Sequence, residues 1–127
     1  MTLRTFTLLT ALTICSISMC GQTLNYKSVT YFGKDFMTGG KTEETYGHEG
    51  TIKILEDENK ITRDTRVYRI NSKEAENDAT IYYCTGMSDS GAEVPMKIEY
   101  DSFWQRVKIG FDDKDLDYSY TIYFIEK

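Results

Sequence analysis

The runs WQRVKIGF (residues 104–111) and YSYTIYFI (residues 118–125), separated by the acidic segment DDKDLD (residues 112–117), decide the fold of this chain. Apolar residues alternate with period two in both runs, which predicts two strands that each bury one face. With the acidic segment as the turn, the residues expected opposite each other are Phe111 and Tyr118, Ile109 and Tyr120, Val107 and Ile122, and Gln105 and Phe124. This face is nearly all apolar and is predicted to point inward. Because a two-stranded hairpin is marginal alone, further strands must cover it.

The opposite face of the predicted hairpin is mixed in character and holds the candidate ligand-binding residues Trp104, Arg106, Lys108 and Tyr123. Alternation places Trp104, the one tryptophan of the chain, beside the two cations. Two interpretations stay open at this point. Trp104 caps one end of the barrel or sheet, or it belongs with the other three residues to a recognition patch that binds a partner.

The rest of the chain predicts more short strands with turn residues between them. Strands are expected over residues 24–32, 51–55, 60–62, 66–70, 79–84 and 94–100, with an irregular strand or long loop over 33–50, a polar loop over 71–78 and a loop over 87–91. No connection is long enough for parallel pairing. The sequence therefore predicts an all-β antiparallel meander of about seven to nine strands, closed as a small barrel or folded into a two-sheet sandwich.

Residues 1–21 differ from everything that follows. One basic residue, Arg4, precedes an acid-free apolar run and then small residues, an order that predicts a secretory signal peptide. The run falls short of the roughly 20 residues that span a bilayer. Cleavage after Gly21 would leave Gln22 first, whereas the alternative, a lipid anchor on Cys20, is disfavoured because Met19 stands where a lipobox has a small residue. We expect a secreted or periplasmic protein with no membrane span.

Composition limits what the segment 22–127 can be. Its 106 residues suit one domain, and its 14 basic against 20 acidic residues give a net charge of −6. That balance argues against nucleic acid or an anionic membrane as the partner. Cys84 is its one cysteine, so no internal disulfide is expected and Cys84 is predicted to be buried in the core.

No motif in the chain predicts catalysis, a metal or a cofactor. Asp113, Asp115 and Asp117 have the spacing that opens an EF-hand loop, but Tyr118 replaces its glycine and Phe124 its closing glutamate. His48 beside Glu49 is the single histidine and does not make a transition-metal site by itself. The carboxylate pairs Glu43 with Glu44 and Asp112 with Asp113 are typical of solvated turns. We therefore predict a protein that is not an enzyme.

The order of strand patterns resembles small uncharacterised secreted proteins of Bacteroides-type bacteria. The resemblance covers most of residues 22–127 and is carried by IKI (52–54), NKI (59–61), TRVYRI (65–70), YYC (82–84), MKI (96–98), VKI (107–109) and YTIY (120–123). It implies export and an all-β fold. It carries no catalytic motif.

Two functions are expected from these observations, with an enzyme of unrecognised type as a third. The first is an exported surface module that binds a protein or glycan at the cell envelope. The alternative is a lipocalin-like carrier of a small apolar ligand. The inward residues are bulky Tyr, Ile, Phe and Val side chains, which favours the surface module. An apolar interior cavity of about 300 Å³ or more would favour the carrier.

Overall fold

The computed structural model describes residues 21–34, 39–112 and 120–126, and it confirms an all-β fold. A short 3-10 turn, Glu56–Glu58, joins the second strand to the third. The strands are β1 (Gln22–Lys34), β2 (Lys41–Leu55), β3 (Lys60–Arg63), β4 (Arg66–Glu76), β5 (Ala79–Met87), β6 (Glu93–Asp101), β7 (Arg106–Phe111) and β8 (Tyr120–Ile125).

The eight strands form a closed antiparallel barrel. Each strand pairs with the next one along the chain, and β1 pairs with β8 to close the ring. Of the two predicted architectures, the barrel is therefore confirmed and the two-sheet sandwich is excluded. Closure gives every strand a partner on both sides over part of its length. β2 pairs with β3 only from Ile52 to Leu55, so its preceding residues pair with β1 alone.

Two-residue connections hold β3, β4 and β5 in adjacent antiparallel pairs. Asp64 begins the turn between β3 and β4, and Asn77 begins the turn between β4 and β5, with φ of 54° and 56° respectively. Short polar side chains tolerate this left-handed backbone region better than other non-glycine residues. Tight hairpins favour residues with positive φ, because the backbone twist of such turns matches the twist of the flanking strands.

The core consists of alternate side chains that point into the barrel, as the period-two patterns predict. Its buried members are Leu24, Tyr26, Val29, Ile52, Ile54, Ile61, Tyr68, Tyr82, Cys84, Ile98, Val107, Ile109 and Tyr123. Cys84 is a free thiol that is only 3% exposed, as predicted. Burial raises its pKa to about 11, so the unreactive thiol form predominates at neutral pH.

The predicted register of the terminal hairpin is wrong by one residue. Val107 lies opposite Tyr123, and Lys108 lies opposite Ile122. The faces of β7 are as predicted, but those of β8 are exchanged: Tyr123 is buried in the core and Ile122 points outward. The error has a physical cause. Both faces of β8 are rich in aromatic and β-branched residues, and such a pattern specifies register weakly.

One segment predicted as an irregular strand or long loop, and one predicted as a polar loop, belong to strands. β2 begins at Lys41, within the region expected to be irregular, and β4 continues to Glu76 through the expected polar loop. The polar parts of both strands are exposed. They pair with β1 and β5 through the backbone while burying little surface, so their sequences lack the apolar alternation that marks a strand.

Several predictions fall outside the described residues. These are the signal sequence up to residue 20, the lipid anchor at Cys20 and the acidic positions Asp113, Asp115 and Asp117. Within the ranges that the structure describes, no helix has the length and apolar character needed to cross a membrane.

The corrected register makes a prediction about stability. Ile98 is 0% exposed in the core, so Ile98→Ala should cost roughly 2–5 kcal/mol of unfolding free energy through lost burial and a cavity. Ile122 lies partly covered on the outer face, so the same substitution there should cost only about 1 kcal/mol. Urea titrations of the two variants measure both values. Equal, large losses would place Ile122 inside the barrel and contradict the register.

Candidate functional site

The barrel is open at the end where β1 turns back into β2. A cavity of about 410 Å³ occupies this end. Its lining includes Gly33 and Thr42, the pair next to the end of that hairpin, and Phe111 and Tyr120, at the facing ends of β7 and β8. We call this space the mouth cavity. It is bordered by residues from seven of the eight strands, all except β5.

The lining of the mouth cavity changes from its outer to its inner part. Tyr31 and Phe111 line the outer part and are 43% and 37% exposed, whereas Tyr68 and Tyr123 line the inner part and are 5% and 2% exposed. The phenyl ring of Phe32 stacks on that of Tyr120 with 4.7 Å between centroids. The outer part of the cavity is therefore lined by exposed aromatic rings, and its floor is formed by buried tyrosine side chains.

Arg63 brings a positive charge into this floor. It is the last residue of β3, two positions after the fully buried Ile61, so strand alternation turns its side chain inward. Its backbone lies between Ile52 on β2 and Arg66 on β4. Arg63 is only partly exposed and lines the mouth cavity.

The guanidinium of Arg63 is only partly satisfied. Its Nη1 donates a hydrogen bond to the hydroxyl oxygen of Tyr123, and its Cζ lies 5.6 Å from the centroid of that ring. Its Nε is buried and has no hydrogen-bond partner. Among the described residues, no carboxylate forms a salt bridge with Arg63. A partly buried guanidinium without a salt bridge is unusual, because little offsets the desolvation of the ion.

The phenols around Arg63 do not supply the missing negative charge. Burial is the main cause that raises the pKa of Tyr68 and of Tyr123 above the ordinary value of 10.0. Both hydroxyls are therefore neutral at physiological pH. Burial lowers the pKa of Arg63, but the neighbouring Tyr68 and Tyr123 outweigh it and the net shift is upward. Arg63 is thus a permanent cation whose phenol neighbours Tyr68 and Tyr123 are neutral.

The nearest carboxylate in sequence, Asp64, has other partners. It accepts hydrogen bonds from the Tyr26 hydroxyl at 2.5 Å and the Thr51 amide at 2.9 Å. Burial would raise the pKa of Asp64, but these two hydrogen bonds and the charge of Arg63 lower it overall. The pKa of Tyr26 is raised, first by burial of its hydroxyl and second by the hydrogen bond to Asp64. Asp64 therefore anchors the β3–β4 turn to β1 and β2.

One carboxylate borders the cavity itself. Glu44 of β2 lies opposite Tyr31, is exposed, and accepts a hydrogen bond of 2.5 Å from the Tyr46 hydroxyl. Water screens a charge at such a position more strongly than one on the floor. The mouth cavity thus has an exposed negative charge at its rim and a partly buried positive charge inside.

The four candidate ligand-binding residues do not form one patch. Trp104 and Arg106 are exposed near the turn between β6 and β7, at the end of the barrel opposite the mouth cavity. Lys108 points outward, with its Nζ 4.1 Å from the ring centroid of Tyr120. Tyr123 lies inside, where it contacts Arg63. A groove of about 270 Å³ on the outer face is lined by Glu99, Asp101, Arg106, Lys108, Tyr120 and Ile122.

Sequence reasoning missed Arg63 and Glu44 as site residues. A signal for Arg63 was present, since a charged residue occupies an inward position of the alternating pattern that begins at Ile61. Glu44 gave no such signal. It lies in the segment of β2 that was predicted as an irregular strand or long loop, so its inward orientation could not be inferred.

The structure also locates the residues considered for metal binding. His48 stacks against Tyr26 with 6.1 Å between ring centroids. In the part of the chain that the structure describes, no three His, Cys, Asp or Glu side chains are grouped so that they could hold a metal ion.

Compared with protein-family models, curated proteins and solved structures, the chain matches none of them. Its function must therefore be inferred from the mouth cavity and the exposed surface.

Proposed function

We propose that this protein is an exported small-molecule-binding barrel that takes its ligand into the mouth cavity. The observation that carries the proposal is the open volume of about 410 Å³ at the mouth of the barrel. Pockets for small ligands typically measure about 300–1,000 Å³ and combine apolar walls with a few polar groups. The cavity meets both conditions, which supports the carrier over the surface module as the primary function.

The distribution of side chains explains why volume remains at this end. At the opposite end and around the middle, Ile52, Ile54, Ile61 and Ile98 fill the barrel and are at most 2% exposed. Toward the mouth, the inward positions of β1 and β2 are taken by Tyr31 and by polar Glu44, which remain exposed. The packed part supplies stability, and the part above it is left open for a ligand.

Export is part of the proposal. The charged, apolar and small regions of residues 1–21 support secretion or transfer to the periplasm. A carrier in that location would capture or hold a molecule at the cell envelope. The single buried thiol, Cys84, fits an oxidising compartment because it is shielded from disulfide exchange.

A second candidate function is a protein or glycan contact through Phe103 and Trp104. These neighbouring rings are 66% and 65% exposed and meet edge to face at 5.1 Å between centroids. The Asp101 carboxylate accepts hydrogen bonds from both backbone amides, at 3.1 and 3.0 Å. The turn therefore presents a fixed aromatic pair, and a preorganised surface loses less entropy on binding.

The primary proposal predicts that the barrel binds at least one of two fluorescent probes, neutral phenylnaphthylamine or anionic anilinonaphthalene sulfonate. Thr121 points inward from β8 and lines the cavity, so Thr121→Trp should occupy the space and weaken probe binding by tenfold or more. Thr23→Trp, at an exposed position of β1, is the matched control and should bind as the wild type does. Fluorescence titration gives the affinities. Absence of binding by both probes, or equal binding by the two variants, would contradict the proposal.

The second candidate predicts a separate phenotype. The double variant Phe103→Ser/Trp104→Ser should keep the urea midpoint of the wild type, because both rings are exposed. It should also keep probe binding in the mouth cavity. If the aromatic pair binds an envelope component, this variant should recover less of it from an envelope extract than Thr23→Trp does. Equal recovery by the two variants would remove the second candidate.

A further inference from the structure

We propose that the ligand of the mouth cavity carries one acidic head group of the carboxylate or sulfonate type, which binds Arg63, and an apolar body that lies against the aromatic rim. This inference rests on the proposed function and specifies the ligand class. It joins three observations: the cavity, the guanidinium at its floor with an unpartnered Nε, and the rings at its outer part.

The hydrogen-bonding state of Arg63 points to the head group. Of its three nitrogens, Nη1 donates to Tyr123 and Nε has no partner. No described carboxylate forms a salt bridge with Nη2. At the edge formed by Nε and Nη2, the buried Nε thus lacks an acceptor. Two parallel N–H groups on one edge of a guanidinium match the two oxygens of a carboxylate or sulfonate.

Electrostatics favour an anion at the floor. A partly buried cation among neutral phenols pays a desolvation penalty that a bound anion would offset. Tyr123 fixes the guanidinium through Nη1 and through its ring, so little side-chain entropy remains to be lost on binding. The head group would therefore meet a cation that is already oriented.

Charge also limits the head group to a single acid. Arg63 is the one arginine or lysine among the residues that line the described cavity, and Glu44 at the rim repels negative charge. The segment 22–127 carries a net charge of −6, so its overall field does not attract anions. A ligand with several negative charges would be attracted by Arg63 alone and repelled by Glu44 and by the net negative charge of the chain. A ligand with one negative charge can be neutralised by Arg63 alone, and apolar contacts can supply the rest of its binding free energy.

The rim supplies those apolar contacts. Tyr31 lies against Tyr46 with 5.7 Å between ring centroids, and Phe32 stacks on Tyr120. Of these rings, those of Tyr31, Phe32 and Tyr120 line the cavity, as do Phe111 and Arg63. Aromatic faces of this kind bind flat or extended apolar groups. The arrangement predicts an amphipathic ligand with its acid inside and its body toward the opening.

The experiment compares the two probes, which share one aromatic skeleton and differ by the sulfonate. We expect the wild type to bind anilinonaphthalene sulfonate at least tenfold more tightly than phenylnaphthylamine, since hydrogen bonds to charged groups are among the strong ones. Decanoate should displace the bound sulfonate probe, and decanol should not do so at the same concentration.

Variants assign the preference to Arg63. In Arg63→Met/Tyr123→Phe the preference for the sulfonate should disappear. Replacing both partners of a buried polar pair by apolar groups of similar shape leaves little unsatisfied, so this variant should keep its urea midpoint within the error of the wild type. Arg63→Lys keeps the charge without the planar edge and should retain only part of the preference. Glu44→Gln removes the rim carboxylate and should strengthen sulfonate binding.

The outcomes separate this inference from the function on which it rests. If neither probe binds, the small-molecule function itself fails. If both probes bind in a manner sensitive to Thr121→Trp but with equal affinity, the cavity is a ligand site and the acidic head group is wrong. The inference is also overturned if the sulfonate preference survives in Arg63→Met/Tyr123→Phe while that variant remains folded. Should that variant unfold, Arg63→Lys and Glu44→Gln decide, and unchanged affinities in both overturn it.

Discussion

Pairing between β1 and β8 is the constraint on which the rest of this structure depends. It joins the first strand to the last and converts a row of antiparallel strands into a ring. Once the ring is closed, every strand has an inner face, and alternate residues must either fill a common interior or line a space within it. β1 pairs with β8 from Tyr26 to Phe32 and extends beyond this paired segment at both ends. It also carries an irregularity between Tyr26 and Ser28. The same strand thus borders both the packed part of the barrel and its open end.

The interior is divided between stability and recognition. Isoleucine, valine and tyrosine side chains make a dense core in most of the barrel, and such burial is the dominant favourable term in folding. Arg63 is an exception, because a cation in the wall of a small core costs free energy when no carboxylate forms a salt bridge with it. Residues that reduce stability in this way are expected at functional sites. This is the physical reason to associate Arg63 with a ligand and not with folding.

The sequence contained most of the information for the fold. Clean alternation in residues 94–100 and in β7 located two strands and their faces, because each strand has one apolar and one polar side. β8 lacked that contrast: Ile122 and Tyr123 are equally suited to the interior, and only the closed ring decides between them. The polar segment of β4 was predicted as a loop, and that of β2 as an irregular strand or long loop. Their pairing with β5 and β1 depends on backbone hydrogen bonds and not on their own side chains.

The site was much harder to predict. The mouth cavity is a property of several strands at once, since it arises where bulky inward residues of one strand do not meet bulky residues of another. Arg63 was detectable as an inward charge, but its lack of a carboxylate partner depends on the hydrogen bonds that occupy Asp64. Trp104 was correctly placed outside, whereas its neighbour Phe103 was overlooked because it lies in the turn and outside the alternating pattern.

The central claim is that the free edge of Arg63 receives an acid within the barrel, and the Arg63 side chain can report this directly. In a proton–nitrogen correlation spectrum, the Nε–H resonance of Arg63 is identified by its loss in Arg63→Lys. Because Nε is buried without a partner, its resonance should shift strongly when decanoate is added and should remain in place with decanol. A resonance that moves equally with both compounds, or with neither while they bind, would contradict the claim.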